Sequence, residues 1–407
     1  AGGLLPIVMS SLAMNRLKPF LETEAKILEY EDRGDDQVYE LEIYSAPVES
    51  FSKFKRIQEQ IRQNDLGISQ LPRMIVVGLI ADYDAFVAKL IRIGLLSRPD
   101  IINQSDKQFK FTDLMRFQTM EEAKAFVVEK EIDATLREDH KEQLLSVGRL
   151  FNLKIATDRE FVLGFLEACE RRNLFTHVGG VVTDRYLQKC KEYGIDVSKR
   201  SVGEKLEVSS SYYKSVVCDV YEVSVRLCQS VWRKLCPDQR VDADRAFNSL
   251  VYDLTLKRDF KLASRLLDYG CNEIKHSSDM YRRMMIVNHA NVMKLDGDAE
   301  SAKKMLNKED WSASGLQFQI SVAAVLDNFD EVVRLMPLVV GAGELSSIEF
   351  REWPVFEAAR ENPEVRAKFK DIFKEDITLA SLDAEPNSNG LMEDMEGNAR
   401  NGDATLN

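Results

Sequence analysis

Apolar residues recur at intervals of three and four along most of the chain, the period of a helix with one buried face. Phe51, Phe54, Ile57 and Ile61 keep this spacing, and the pattern closes near Gly67 and Pro72. A stronger run opens at Arg73, extends to about Leu96 and stops at Pro99; Thr112 and Asp113 then open a short helix. Further helices are expected from Glu121 to Leu136, from His140 to Leu153 and from a cap at Asp158. The last of these carries Phe161, Leu163, Phe165, Leu166 and Cys169, runs through Arg172 to His177 and breaks at Gly179-Gly180. A loop rich in charge and Ser follows, then a long helix from about Leu206 to Leu235, ahead of Pro237. Val38 to Tyr44 alternates in part with a period of two and is the strand candidate, ended by Pro47.

The second half repeats itself weakly. The strings beginning at Leu256, Leu295 and Leu326 align without gaps, each a helix end, a polar turn and a new helix with Ala263, Ala302 or Val333 seven positions on. Leu266, Met305 and Met336 continue the register, and the offsets of 39 and 31 residues suit stacked helical hairpins of the tetratricopeptide kind. The fold expected is therefore all-α, with minor strand content near the N-terminus. Residues 1–72 form a poorly defined segment, 73–236 a helical domain and 237–376 a helical repeat region. Residues 377–407 are acidic without apolar period, the pattern of a disordered tail.

Composition narrows the class. Hydrophobic residues make up 44% and charged residues 30%, and only 10 Pro occur, an ordinary balance for a helical globular chain. A formal net charge of −12 argues against a general nucleic-acid coat protein, though not against a locally basic site. No run of about 20 apolar residues occurs, so no membrane span is expected. Cys169, Cys190, Cys218, Cys228, Cys236 and Cys271 form no C-x-x-C pair and fall mostly in apolar helical stretches, which reads as reduced thiols in a cytoplasmic protein. Four dispersed His give no zinc spacing, so neither metal nor other cofactor is expected.

The sharpest chemical feature is Arg172-Asn173-Leu174-Phe175-Thr176-His177, at a helix terminus before a Gly-Gly break. Histidine exchanges a proton near neutral pH, and the arginine fork matches phosphate oxygens. Together they suit phosphodiester chemistry without metal: His moves a proton to or from an oxygen while Arg stabilises charge on the reacting phosphate. Five residues of helix rotate a side chain by about 500°, or roughly 140° net, so Arg172 and His177 diverge if the motif stays helical. Two copies facing each other across a two-fold axis bring such groups together, which favours a homodimer.

This motif, with Gly179-Gly180-Val181-Val182 and Arg185-Tyr186-Leu187 after it, resembles the HEPN superfamily (higher eukaryote and prokaryote nucleotide-binding) over about Arg73–Leu235. The resemblance implies an all-α dimerising domain and, in active members, a composite metal-independent endoribonuclease site. It gives catalytic roles to Arg172 and His177 and an RNA-orienting role to Asn173. It also suggests a prokaryotic antiphage or toxin component with RNA as substrate. Catalytically silent members serve as dimerisation scaffolds, and the helical repeats would then hold a protein partner.

Between Arg171 and Lys205 eight basic residues stand against four acidic ones, a local balance of +4. Arg171, Arg185, Tyr186 and Lys189 are the expected RNA contacts, the Tyr by stacking on bases. Elsewhere His276 and His289 read as ordinary helix residues and His140 as an exposed helix start. Met284, Met285 and Tyr281 fit a hairpin interior, with a peptide groove as the other reading.

Overall fold

The structure, a computed structural model, describes residues 26–31, 41–45, 48–103 and 117–377. The short helix expected at Thr112-Asp113 and the acidic tail lie outside the described residues. The fold is all-α apart from one antiparallel pair near the N-terminus, β1 (Lys26–Glu31) with β2 (Leu41–Ser45). The chain divides into two compact units, one ending at Leu235 and one starting at Cys236.

The first unit contains α1 (Val48–Ser97), α2 (Pro99–Asn103), α3 (Met120–Leu136), α4 (His140–Phe151), α5 (Glu160–Val178), α6 (Asp184–Tyr193) and α7 (Ser210–Leu235). The helix expected to close near Pro72 does not close there: α1 runs through it, with Pro72 inside. Val76, Ile80, Tyr83, Val87 and Ile91 form its buried stripe, and Val216, Val220, Val223, Leu227 and Val231 form that of α7. These two helices pack on each other and on α5, which also packs on α4 and α6. A helix enclosed on so many sides buries residues all round, including the consecutive Ala168, Cys169, Glu170 and Arg171. Its cap is Arg159, without a side-chain bond, rather than Asp158.

Helix α5 ends where Gly179 and Gly180 take φ of 65° and 88°, a region that costs a side chain dearly and glycine little. A Cβ on Gly180 would also lie 3.1 Å from the Leu206 carbonyl and from the Phe175 ring. The chain beyond pairs with residues 203–206, through Val182 N–H to the Glu204 carbonyl at 2.8 Å and Leu206 N–H to the Gly180 carbonyl at 2.9 Å. The expected loop then proves to hold α6, capped by the Thr183 hydroxyl, with Tyr186, Cys190 and Tyr193 turned into the core.

The second unit contains α8 (Arg240–Leu256), α9 (Phe260–Asn272), α10 (Asp279–Leu295), α11 (Ala299–Leu306), α12 (Leu316–Val325) and α13 (Phe329–Gly341). After them come α14 (Ser347–Glu352), a 3-10 turn (Pro354–Phe356), α15 (Glu357–Glu361) and α16 (Pro363–Phe373). The three aligned strings form one kind of turn. Each closes its helix with a bond from the amide of Asp259, Asp298 or Asn328 to a carbonyl five residues back, at 2.8–3.0 Å. The preceding residue is left-handed (Arg258, Gly297, Asp327), and the Asp or Asn side chain then caps the next helix. Leu306, Ile320, Val332, Met336, Phe350, Phe356 and Phe369 lie in the core these helices share. His276 is not in a helix. Its Nδ1 lies 2.8 Å from buried Asp244 and its Nε2 2.9 Å from the Gly270 carbonyl, pinning the α9–α10 connection to α8. His289 sits in α10, buried, beside the Ser264 hydroxyl.

Candidate functional site

The whole Arg172–His177 motif remains helical, in the last two turns of α5. Arg172 and His177 accordingly occupy different surroundings. Arg172 turns towards α1 and α4: one terminal nitrogen, Nη2, lies 3.6 Å from Asp84 Oδ2 and 3.4 Å from His140 Nε2. His140 Nε2 is itself 3.2 Å from Asp84 Oδ1, and Gln143 donates to the same oxygen at 3.4 Å. The imidazole therefore faces a carboxylate and a guanidinium with one nitrogen. A proton on Nε2 serves Asp84; a lone pair there serves Arg172. Arg172 Nε and Gln143 Oε1 are buried without partners among the described residues, while 23% of the Arg172 side chain remains open to solvent.

His140 departs from its reading as an exposed helix start. It opens α4, but α1 and α5 flank it and leave only 8% exposed, with its ring against Tyr83 and edge-on to Phe165 at 5.9 Å. Asp84 and His140 are thus the members of this site that sequence reasoning missed. The available signal was Asp84 and Tyr83 in adjacent positions on α1, a polar residue beside the buried stripe.

Burial pushes the Asp84 carboxyl up, but the hydrogen bond and charge of His140, the Gln143 bond and the Arg172 charge outweigh it and hold the group below the usual carboxylate range. A depressed folded value means that Asp84 contributes stability above about pH 4 and loses that contribution as the pH falls. We expect Asp84→Asn to unfold at a lower temperature than wild type at pH 7, with the gap narrowing as the pH falls below about 4. Thermal denaturation across that range checks this; a gap that does not change with pH contradicts it.

His177 is exposed in the last turn of α5, beside exposed Thr176 and Val178. Asn173 is half-buried, and its amide donates to Glu170 at 3.4 Å. Arg73 ties the end of α5 to α1 by donating to the Gly179 carbonyl at 3.3 Å. Around this join α1 presents a second apolar stripe to solvent: Leu71, Met74 and Ile75 are 54%, 67% and 41% exposed, and Gly78 continues the spacing.

The expected RNA contacts divide. Arg171 is buried: Nε donates to Glu167 at 2.8 Å, and the guanidinium lies 3.8 Å over the Tyr212 ring. Tyr186 is also buried, its hydroxyl donating to Glu167 at 2.6 Å. These two are corrected to core residues, since neither is offered to a strand of RNA on this surface. Lys189 is half-buried between Asp139 and Glu192, each at 3.2 Å. Arg185 is exposed. Arg200 is paired to Glu204, so three members of the basic excess read from sequence, Arg171, Lys189 and Arg200, each face a carboxylate.

Among the described residues no group of three His, Cys, Asp or Glu side chains is placed to hold a metal ion, and no helix is long and apolar enough to cross a membrane. All six cysteines are free of disulfides. Burial pushes the Cys169 thiol, next to this cluster in α5, well above its ordinary range. No family model, curated protein or solved structure matches the chain.

Proposed function

We propose that the chain is a dimeric endoribonuclease that cleaves RNA without a metal ion, using Arg172 and His177 from two copies. What carries this reading is the placement of the motif. Arg172 is held by Asp84 and His140 with part of its side chain open to solvent, while His177 is exposed at the end of the same helix. One copy points the two groups apart; a two-fold pair of α5 ends can point them together. In the reaction, one His177 takes the proton of a ribose 2′-hydroxyl as that oxygen bonds to phosphorus. The 5′-oxygen of the next nucleotide leaves with a proton from the other copy's His177, giving a 2′,3′-cyclic phosphate and a 5′-hydroxyl. Arg172 stabilises the charge that builds on the phosphoryl oxygens, and Asp84 and His140 are positioning residues for its fork. The resemblance in the motif fits such an enzyme to antiphage defence or to a toxin system.

The exposed stripe Leu71, Met74, Ile75 and Gly78 supports pairing, because it lies beside the α5 end and a second helix can approach closely over the glycine. Met74→Glu with Ile75→Glu should convert the protein to a monomer in light scattering and abolish RNA cleavage together. A dimer that survives both charges, or an active monomer, removes the support that this stripe lends.

A further inference from the structure

The second unit contains a pocket of about 170 Å³, lined from α8, α10, α12 and the 3-10 turn after α14. A cavity of roughly 150 Å³ holds benzene, so the space suits one small ring system. Three aromatic side chains, Tyr252, Phe318 and Trp353, contribute to its walls, and its polar groups include the carboxamides of Asn248, Asn288 and Asn291. None of the lining side chains is charged.

Asn291 carries the argument. It is only 5% exposed, it lines the pocket, and its amide has no hydrogen-bond partner among the described residues. Its neighbour one turn earlier, Asn288, donates to Asn248 at 2.9 Å, which leaves the Asn288 carbonyl and the Asn248 amino group unused. The polar atoms of Asn291 keep contact with solvent only at the pocket, so the wall presents a carboxamide whose hydrogen-bonding capacity the described residues leave unused, which points to a ligand that completes it. An apolar side chain inserted from a peptide would leave Asn291 unpaired. A charged ligand would meet no opposite charge. A neutral planar ring with donors and acceptors along its edge satisfies both the carboxamides and the aromatic walls.

We infer that this pocket binds a nucleobase, either of a free nucleoside or of an unpaired nucleotide in single-stranded RNA. The inference is independent of the ribonuclease reading, which concerns the other unit.

Isothermal titration of the full-length protein with adenosine, guanosine, cytidine and uridine tests it, beside a short oligoribonucleotide and N-acetyl-leucinamide as a peptide-like control. At least one nucleoside or the oligonucleotide should bind, and Asn291→Leu should weaken that binding at least about tenfold. The same substitution should not lower the thermal midpoint, because it exchanges an unpaired buried carboxamide for an apolar group of similar size. Asn288→Leu, at a half-buried position, gives a second variant with the same expected loss. An oligonucleotide that binds at least about tenfold tighter than its nucleoside assigns the base to RNA; equal or weaker binding assigns it to a free nucleoside. Absence of binding by every nucleoside and the oligonucleotide overturns the inference. So does unchanged affinity in both variants, or binding of N-acetyl-leucinamide alone.

Discussion

Replacing Arg172 by Ala should slow RNA cleavage by about 10³-fold, the usual consequence of removing a group that stabilises charge in the transition state. His177→Ala should cost between roughly 10² and 10⁴-fold, as expected when a general acid or base is lost. Because the two act in one event, the double variant should be little worse than the weaker single variant. Arg172→Lys should not restore the rate. A lysine presents a point charge instead of a planar fork, so its one nitrogen cannot stay beside Asp84 and His140 while a second nitrogen reaches a phosphate oxygen. His177 is exposed, so His177→Ala should unfold within a degree or so of wild type. Initial rates on a defined single-stranded RNA, with melting curves beside them, separate a chemical loss from an unfolded protein. A His177→Ala variant that cleaves at the wild-type rate would show that the exposed histidine has no chemical role.

The second large effect concerns stability. Glu167 accepts from Arg171 and Tyr186 on one oxygen and from the Tyr212 hydroxyl, at 2.8 Å, on the other. Its side chain is 13% exposed and that of Arg171 8%, so the pair is largely shielded from water. Burial opposes the Arg171 charge, yet Glu167 and the two tyrosines more than compensate and hold it firmly ionised. Removing one member of a buried pair leaves the other uncompensated, at a cost of about 3–5 kcal/mol. Glu167→Ala should therefore lower the melting temperature of the first unit by roughly 10 °C, at 2–4 °C per kcal/mol for a unit of this size. Glu167→Gln keeps acceptor capacity on one oxygen and should fall between. Circular dichroism melts measure both, and a midpoint for Glu167→Ala within about 2 °C of wild type contradicts the account.

These two predictions concern neighbours in sequence whose fates differ. Arg171 and Arg172 are adjacent and chemically identical, but one helical step turns them about 100° apart. That step takes Arg171 into the core and Arg172 to a partly open cluster. The motif itself was legible as chemistry, and its helical geometry makes the divergence of Arg172 and His177 calculable. Which arginine is buried was not legible, because α5 packs on four other helices and has no single apolar face to read. His140 was misread for a related reason. Its flanks Asp139 and Lys141 look like a solvated helix start, and only the approach of α1 and α5 encloses the ring. Helix α6 passed for a loop because most of its ten residues are polar, although Thr183, Gly194 and the spacing of Tyr186, Cys190 and Tyr193 were present as signals. The turns at Leu256, Leu295 and Leu326 were readable because capping is local chemistry, set by residues a few positions apart. The carboxamide pocket was not. Asn248 lies in α8 and Asn288 and Asn291 in α10, so only tertiary packing makes neighbours of them.

Incubating the full-length protein with single-stranded RNA in excess EDTA, beside the same strand with 2′-deoxyribose at every position, tests whether the chain cleaves RNA through the 2′-hydroxyl without a metal ion. Cleavage of the RNA alone is expected, leaving 2′,3′-cyclic phosphate and 5′-hydroxyl ends, and slowed by about 10²-fold or more in Arg172→Ala and in His177→Ala. Cleavage that stops with EDTA, that also cuts the deoxy strand, or that keeps the wild-type rate in both variants contradicts this mechanism.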